Sequence, residues 1–279
     1  MPEKFRYYQP SGKIGIVGPI YILVIGTIAT LALSMGLGYF TSKVPYVILN
    51  LMVTSIYAAI IGHAIAFGGR IGKVRNPQLV LALSFLFGLL GVYLGWVFWI
   101  QATLQTSYIP FNPSMVINTM RLLSVMGAWS LSGWTPKGEI LYGIWLLNAI
   151  FIIGIVMAMA WDKSIASPFC EKCNRWIDKT KCLAFEPISM PDKFKWKLDR
   201  GDFSYLDSLK RVMLLEQNHS LYEFYKCKDC GKTCFLTVKS VSFKVNSKGE
   251  STKSEKILVK NFIISPDKYE KLKSQWLQN

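Results

Sequence analysis

ILYGIWLLNAIFIIGIVMAMAWDKSIASPFCEKC, residues 140–173, joins two kinds of polypeptide in one stretch. Its first 22 residues, 140–161, carry no formal charge. Nine residues after Trp161, Cys170 opens a C-x2-C pair with Cys173. A helix crossing hydrocarbon needs about 20 mainly apolar residues, and its backbone must satisfy its own hydrogen bonds. Two thiols at this spacing can face one ion from a tight turn. The stretch therefore reads as a membrane span running into a metal knuckle, and it divides the chain at about residue 162.

The halves differ in charge. Residues 1–161 hold nine Lys/Arg and two acids, whereas 162–279 hold 23 Lys/Arg and 15 Asp/Glu, giving +7 and +8 of the total +15. Three more runs in the first half lack formal charge: 14–42, 44–69 and 76–120. The reading is an α-helical polytopic membrane protein with a transmembrane domain over 1–161. Its four spans lie at about 17–40, 45–68, 78–101 and 140–161. The first run is too long for a secretory leader and lacks a small-x-small cleavage site, so it is expected to remain in the mature chain.

Lys4, Arg6 and Lys13 precede the first span, and Arg70, Lys73 and Arg75 sit between the second and third. The positive-inside rule puts these segments, and with them both termini, in the cytoplasm of an inner- or plasma-type membrane. Residues 113–134 could be read as a fifth span. That would centre Arg121 in lipid, at about 2.5–3.5 kcal/mol. The preferred reading is an outer interfacial helix at about 113–127, with Trp129 and Trp134 at headgroup level.

All six cysteines lie in residues 162–279. Cys170 and Cys173 form one C-x2-C pair, Cys227 and Cys230 another, and Cys182 and Cys234 stand apart. A reducing cytoplasm disfavours a disulfide framework. No βαβ pattern supports a redox C-x2-C site, and four thiolates could also hold an iron–sulfur cluster. A tetrahedral shell of four thiolates is what structural zinc prefers, and it leaves no open position for catalysis. Cys182 and Cys234 are expected to be small buried residues, with a ligand role in place of one of the four as the alternative.

FCEKCNRW and KCKDCGKT resemble the knuckles of zinc-ribbon, or rubredoxin-like, domains. The resemblance covers only these sixteen residues, and the 53 residues between the pairs exceed the compact ribbon spacing. It implies a structural Zn2+ held by Cys170, Cys173, Cys227 and Cys230 in a zinc-ribbon-like α+β domain over 162–279. Around it, 203–217 reads as a helix, 234–264 as a hairpin turning at 246–251, and 266 onward as a terminal helix with Tyr269, Leu272 and Trp276 on one side.

The spans contain no Asp or Glu, and the chain has no H-E-x-x-H, G-x-S-x-G or P-loop. Acidic relays and the common catalytic motifs are thus excluded. Polar groups within the spans are few: Asn50, Thr54, Ser55 and His63 in the second, and Asn148 in the fourth. Asn50, Thr54 and His63 lie near one helical face and form a candidate polar seam. Small residues at four-residue spacing (Ala58/Gly62/Ala66, Gly91/Gly95, Gly154/Ala158) predict close helix packing within the bundle, or a homo-oligomer. The basic C-terminal half intersperses Lys with acids and lacks an aromatic-basic motif, so anionic lipid is the expected partner of its charge rather than nucleic acid.

Three functions follow. The first is a non-enzymatic membrane scaffold or adaptor whose zinc module docks a protein partner. The second is a pore or permease lined by Asn50, Thr54 and His63 and gated by that module. The third is a membrane enzyme acting on lipid, for which His63, His219 and loop polar residues are the candidate groups.

Overall fold

Four long helices form where the uncharged runs lie. A computed structural model describes residues 7–44, 46–105, 107–128, 133–164, 167–207, 209–212, 217–245 and 251–278. The helices are α1 (Gly18–Lys43), α2 (Val47–Ile71), α3 (Pro77–Leu104) and, after the shorter α4 (Pro113–Met126), α5 (Gly138–Ser164). Each of the four is long and apolar enough to cross a membrane. Pro77 opens α3, where its missing N–H costs nothing, and Asn76 Oδ1 accepts from the Leu79 amide at 3.0 Å.

The chain separates into two compact units, one of residues 11–166 and the other of residues 7–10 with 167 onward. In the first, α1 packs on α2 and α3, and α5 packs on the same two helices. The core holds Ile22, Tyr57, Ile61, Ile65, Phe87, Ile152 and Val156. The outward faces are equally apolar: Ile48 is 77% exposed and Leu147 67%. Gly12 N–H donates to Arg75 O, and Arg75 N–H to Lys13 O, so the entry to α1 runs beside the α2–α3 turn.

Small residues set the helix spacing. A Cβ on Gly62 would lie 2.6 Å from the Val156 carbonyl oxygen of α5, and one on Gly38 2.6 Å from the Phe98 backbone of α3. In α1 a further small-residue stripe, Gly26, Thr30, Ser34 and Gly38, is buried at the same four-residue spacing. Conversely, Gly154 has nothing within 4 Å of an added Cβ.

α4 has 14 residues and ends at Gly127, whose φ is +91°. At 1.5 Å per residue it spans about 21 Å, too short for a hydrocarbon core of about 30 Å. A fifth long span is therefore absent among the described residues, and the helix expected at 113–127 is present. Trp134 is exposed, and Trp129 lies outside the described residues.

The second unit is built on an antiparallel sheet in the order β3 (Lys179–Phe185), β4 (His219–Lys226), β5 (Cys234–Val245), β6 (Ser251–Ile264). A small hairpin, β1 (Phe169–Cys170) with β2 (Arg175–Trp176), precedes it. α6 (Pro191–Asp199), α7 (Ser204–Asp207) and α8 (Pro266–Gln278) complete the unit. Phe194, Leu198, Leu206, Tyr269 and Leu272 from these helices pack with Tyr222, Phe224, Leu236, Val238 and Phe262 of the sheet.

The hairpin expected at 234–264 is β5–β6, and the terminal helix is α8. The turn at 246–250 and the Trp276 side chain lie outside the described residues. The helix expected at 203–217 is not formed as such. Asp202 Oδ1 does accept from the Ser204 amide, but α7 stops at Asp207. Arg211 instead bridges to Phe185, and the Val212 amide donates to Ala184 O. Strand-edge pairing there outweighs the helical periodicity, and residues 213–216 lie outside the described set.

The unit also takes in the chain's start. Tyr7 pairs with Phe262, and the Tyr8 amide donates to Asn261 O at 2.9 Å. Asn261 bulges out of β6 with φ +49° and is held by Thr237. The Tyr7 hydroxyl donates to Asp199 at 2.5 Å. Residues 7–10 thus group with the C-terminal unit, whereas the sequence division at 161/162 assigned them to the helices.

Candidate metal centre

Cys170 closes β1 and Cys173 lies in the turn to β2, while Cys227 follows β4 and Cys230 lies in the turn to β5. The two turns are built alike. The residue after the second cysteine is left-handed in both, Asn174 at φ +51° and Gly231 at φ +63°. Glycine and asparagine are the residues that take this conformation at least cost. In the second turn, the Gly231 amide donates to Cys227 O and the Cys227 amide to Thr233 O.

The four sulfurs lie within 4.8 Å of one another. The Cys170 and Cys230 sulfurs are 3.8 Å apart. A tetrahedron with metal–sulfur bonds of about 2.3 Å has edges of about 3.8 Å. The four cysteines are therefore positioned to bind a metal ion. Thr233 Oγ1 lies 3.4 Å from Cys170 Sγ and 3.8 Å from Cys230 Sγ, a contact that helps to orient both.

The electrostatics also favour a cation. Hydrogen bonds from the Lys232 amide, and more weakly from Cys173 and the Thr233 amide, hold the Cys230 thiol down at about 6 against the opposing effect of burial. Desolvation, followed by hydrogen bonding to the three neighbouring thiols, pushes Cys173 up to about 12. Four thiols this close ionise together only around a positive charge.

The surroundings tie the centre to its unit. Ile177, Tyr225 and Phe235 pack on it, and the Tyr8 ring stacks edge-on against Phe235 at 5.5 Å. Arg175 and Asp229 pair at 2.5 Å, joining the two knuckles. The alternation of charged and apolar residues did not reveal the Tyr8 contact or the Arg175–Asp229 pair. Asn174 could have been found as the counterpart of Gly231. Of the remaining cysteines, Cys234 is buried in the sheet core, but Cys182 is exposed on β3, which corrects the expectation that both are buried.

The structure does not gather Asn50, Thr54 and His63 into one seam. Thr54 is buried, and Asn50 Nδ2 donates to Val44 O at the start of α2. His63 is exposed on the outer face of α2, with Nδ1 2.9 Å from Ala59 O of its own helix. The buried polar contacts of the bundle lie elsewhere. Ser34 and Tyr57 share a 2.7 Å hydrogen bond, and the Tyr57 hydroxyl donates to Gly91 O at 3.0 Å. His219 is buried on β4, with Nδ1 2.6 Å from Gln217 O.

No family model, curated protein or solved structure matches the chain.

Proposed function

We propose that this chain is an integral membrane scaffold or adaptor: four spans anchor a cytoplasmic module, stapled by structural zinc, that docks a protein partner. The observation that carries the reading is the metal centre. Four protein thiols lie close enough to fill all four positions of a tetrahedral shell, which would leave an ion there no vacant site for substrate. Its value is mechanical. A module with a modest core gains a crosslink between the β1–β2 hairpin and the β4–β5 turn, which lie more than 50 residues apart.

Chain parity supports the topology. Residues 7 and 8 enter strand pairing with β6, so they share a compartment with the domain that begins at 167. An even number of crossings must separate them, and α1, α2, α3 and α5 supply four. Lys13, Arg70, Lys73 and Arg75 fall at the end of the bundle where the chain enters α1, which the positive-inside rule makes cytoplasmic.

In-cell photocrosslinking from exposed positions on the module, such as Cys182 replaced by a photoreactive residue, tests the partner. A discrete adduct that disappears with Cys227→Ser, while the spans remain membrane-inserted, is the expected result. A purified chain that turns over a substrate and yields no discrete adduct refutes the adaptor reading.

A further inference from the structure

Between α3, α4 and α5 runs a groove of about 400 Å³, whose lining includes Val92 and Trp96 of α3, Val116 and Met120 of α4, and Trp145 and Ala149 of α5. Its volume falls within the range of small-molecule sites, about 300–1,000 Å³. Among the described residues no charged side chain lines it. Trp96 and Trp145 meet edge to face at 4.8 Å, and Tyr142 meets Trp145 at 5.5 Å. The Trp96 and Trp145 indole nitrogens and the Tyr142 hydroxyl donate to no described residue. The Tyr93 hydroxyl is already committed to Phe111 O in the segment that leads into α4. Three donors with no acceptor among the described residues thus line an otherwise apolar slot. Arg121, the only charged residue of α4, is exposed one turn beyond Ile117, a residue of the groove wall.

We propose that this groove is a phospholipid site: one acyl chain lies in the slot, its ester oxygens accept from Trp96, Trp145 and Tyr142, and its phosphate faces Arg121. The chemistry is complementary at each level. Hydrocarbon matches the Val, Leu, Met and ring surfaces. Indole and phenol donors match the ester zone, where such rings concentrate in membranes. The cation matches the phosphodiester. The inference rests on the membrane reading of the bundle, because only there are both the chain and the headgroup supplied at the depth of an interfacial helix.

Delipidated protein in detergent, titrated with dioleoyl phosphatidylglycerol and read by native mass spectrometry, tests it. Dioleoylglycerol, which has the same chains and no phosphate, is the comparison. One tightly held phosphatidylglycerol per chain is expected, in preference to dioleoylglycerol. Ala149→Phe fills the slot, and losing the burial of two methylenes is already about tenfold in affinity. Arg121→Gln, at an exposed position, should weaken phosphatidylglycerol about fivefold and leave dioleoylglycerol unchanged. Trp145→Phe keeps the ring packing, removes one donor and should weaken both. A graded series of adducts, identical in wild type and all three variants, is annular lipid only and overturns the site. A chain that stays monodisperse without detergent overturns the membrane reading instead, and the two failures are separately visible.

Discussion

Two glycines of the bundle, both at four-residue small-residue spacing, make opposite predictions. A Cβ on Gly62 would lie 2.6 Å from Val156 O, 2.8 Å from Met159 Cβ and 3.3 Å from Ala160 N, so two of its three neighbours are backbone atoms of α5. They cannot rotate away. Gly62→Ala must push α2 from α5 over a contact that also holds Ala58 and Ala160, both fully buried. Overpacking of this kind costs about 1–3 kcal/mol. At about 2–4 °C per kcal/mol for a body of this size, the midpoint falls by about 2–12 °C. Gly154 has open space around the same added atom. Gly154→Ala should leave the midpoint unchanged or raise it by up to about 3 °C, because alanine has the higher helix propensity. The assay is the fraction of monodisperse protein surviving heating in detergent, read by size exclusion, with both variants scanned at one rate. Equal midpoints, or a larger loss at Gly154, would refute the packing of α2 on α5.

Glu223 on β4 is nearly buried and pairs with Lys239 at 3.0 Å and Lys179 at 3.3 Å. Burial alone would raise its pKa, but the hydrogen bonds and charges of the two lysines win and lower it. A depressed carboxyl contributes stability that is present above its unfolded value of about 4.3 and is lost as pH falls through its folded value. Glu223→Gln should cost about 2 kcal/mol at pH 7, less than a fully buried pair because both lysines keep solvent contact, and should flatten the loss of β4–β5 amide protection between about pH 5 and 3. Tyr7→Phe removes the hydroxyl that donates to Asp199. It should cost about 1 kcal/mol and speed exchange of the Tyr8 amide about fivefold, with β4 amides unaffected. Metal should be retained at neutral pH and released as pH falls below about 6, because protons compete with the ion for the thiolates; release that is indifferent to pH would contradict thiolate ligation.

The bundle was legible because uncharged runs of membrane length admit one kind of secondary structure. Its packing was less so. Small residues at four-residue spacing occur on exposed faces as readily as buried ones, and Gly154 and Gly62 look alike until the neighbouring helix is present. The metal centre was legible because thiol spacing encodes a turn. Asn50 and His63 are 13 residues apart, which at 3.6 residues per turn sets them on different sides of α2, and His63 meets Ala59 O of its own helix. In the C-terminal unit, β5–β6 followed from alternation, whereas β3 and β4 did not. β4 is buried on both faces, with His219, Glu223 and Tyr225 on one side and Tyr222 and Phe224 on the other, so its pattern does not alternate. The pairing of Tyr7 with Phe262 spans nearly the whole chain, and no local pattern announces it.

The central claim is that Cys170, Cys173, Cys227 and Cys230 hold one structural zinc in a reduced module. Elemental mass spectrometry of the detergent-purified chain, beside Cys227→Ser, tests it most directly. One zinc per wild-type chain, clearly lost in the variant, is expected. Iron in place of zinc, or no metal with these cysteines oxidised to disulfides, would contradict it, and the oxidised result would also overturn the cytoplasmic placement of both termini.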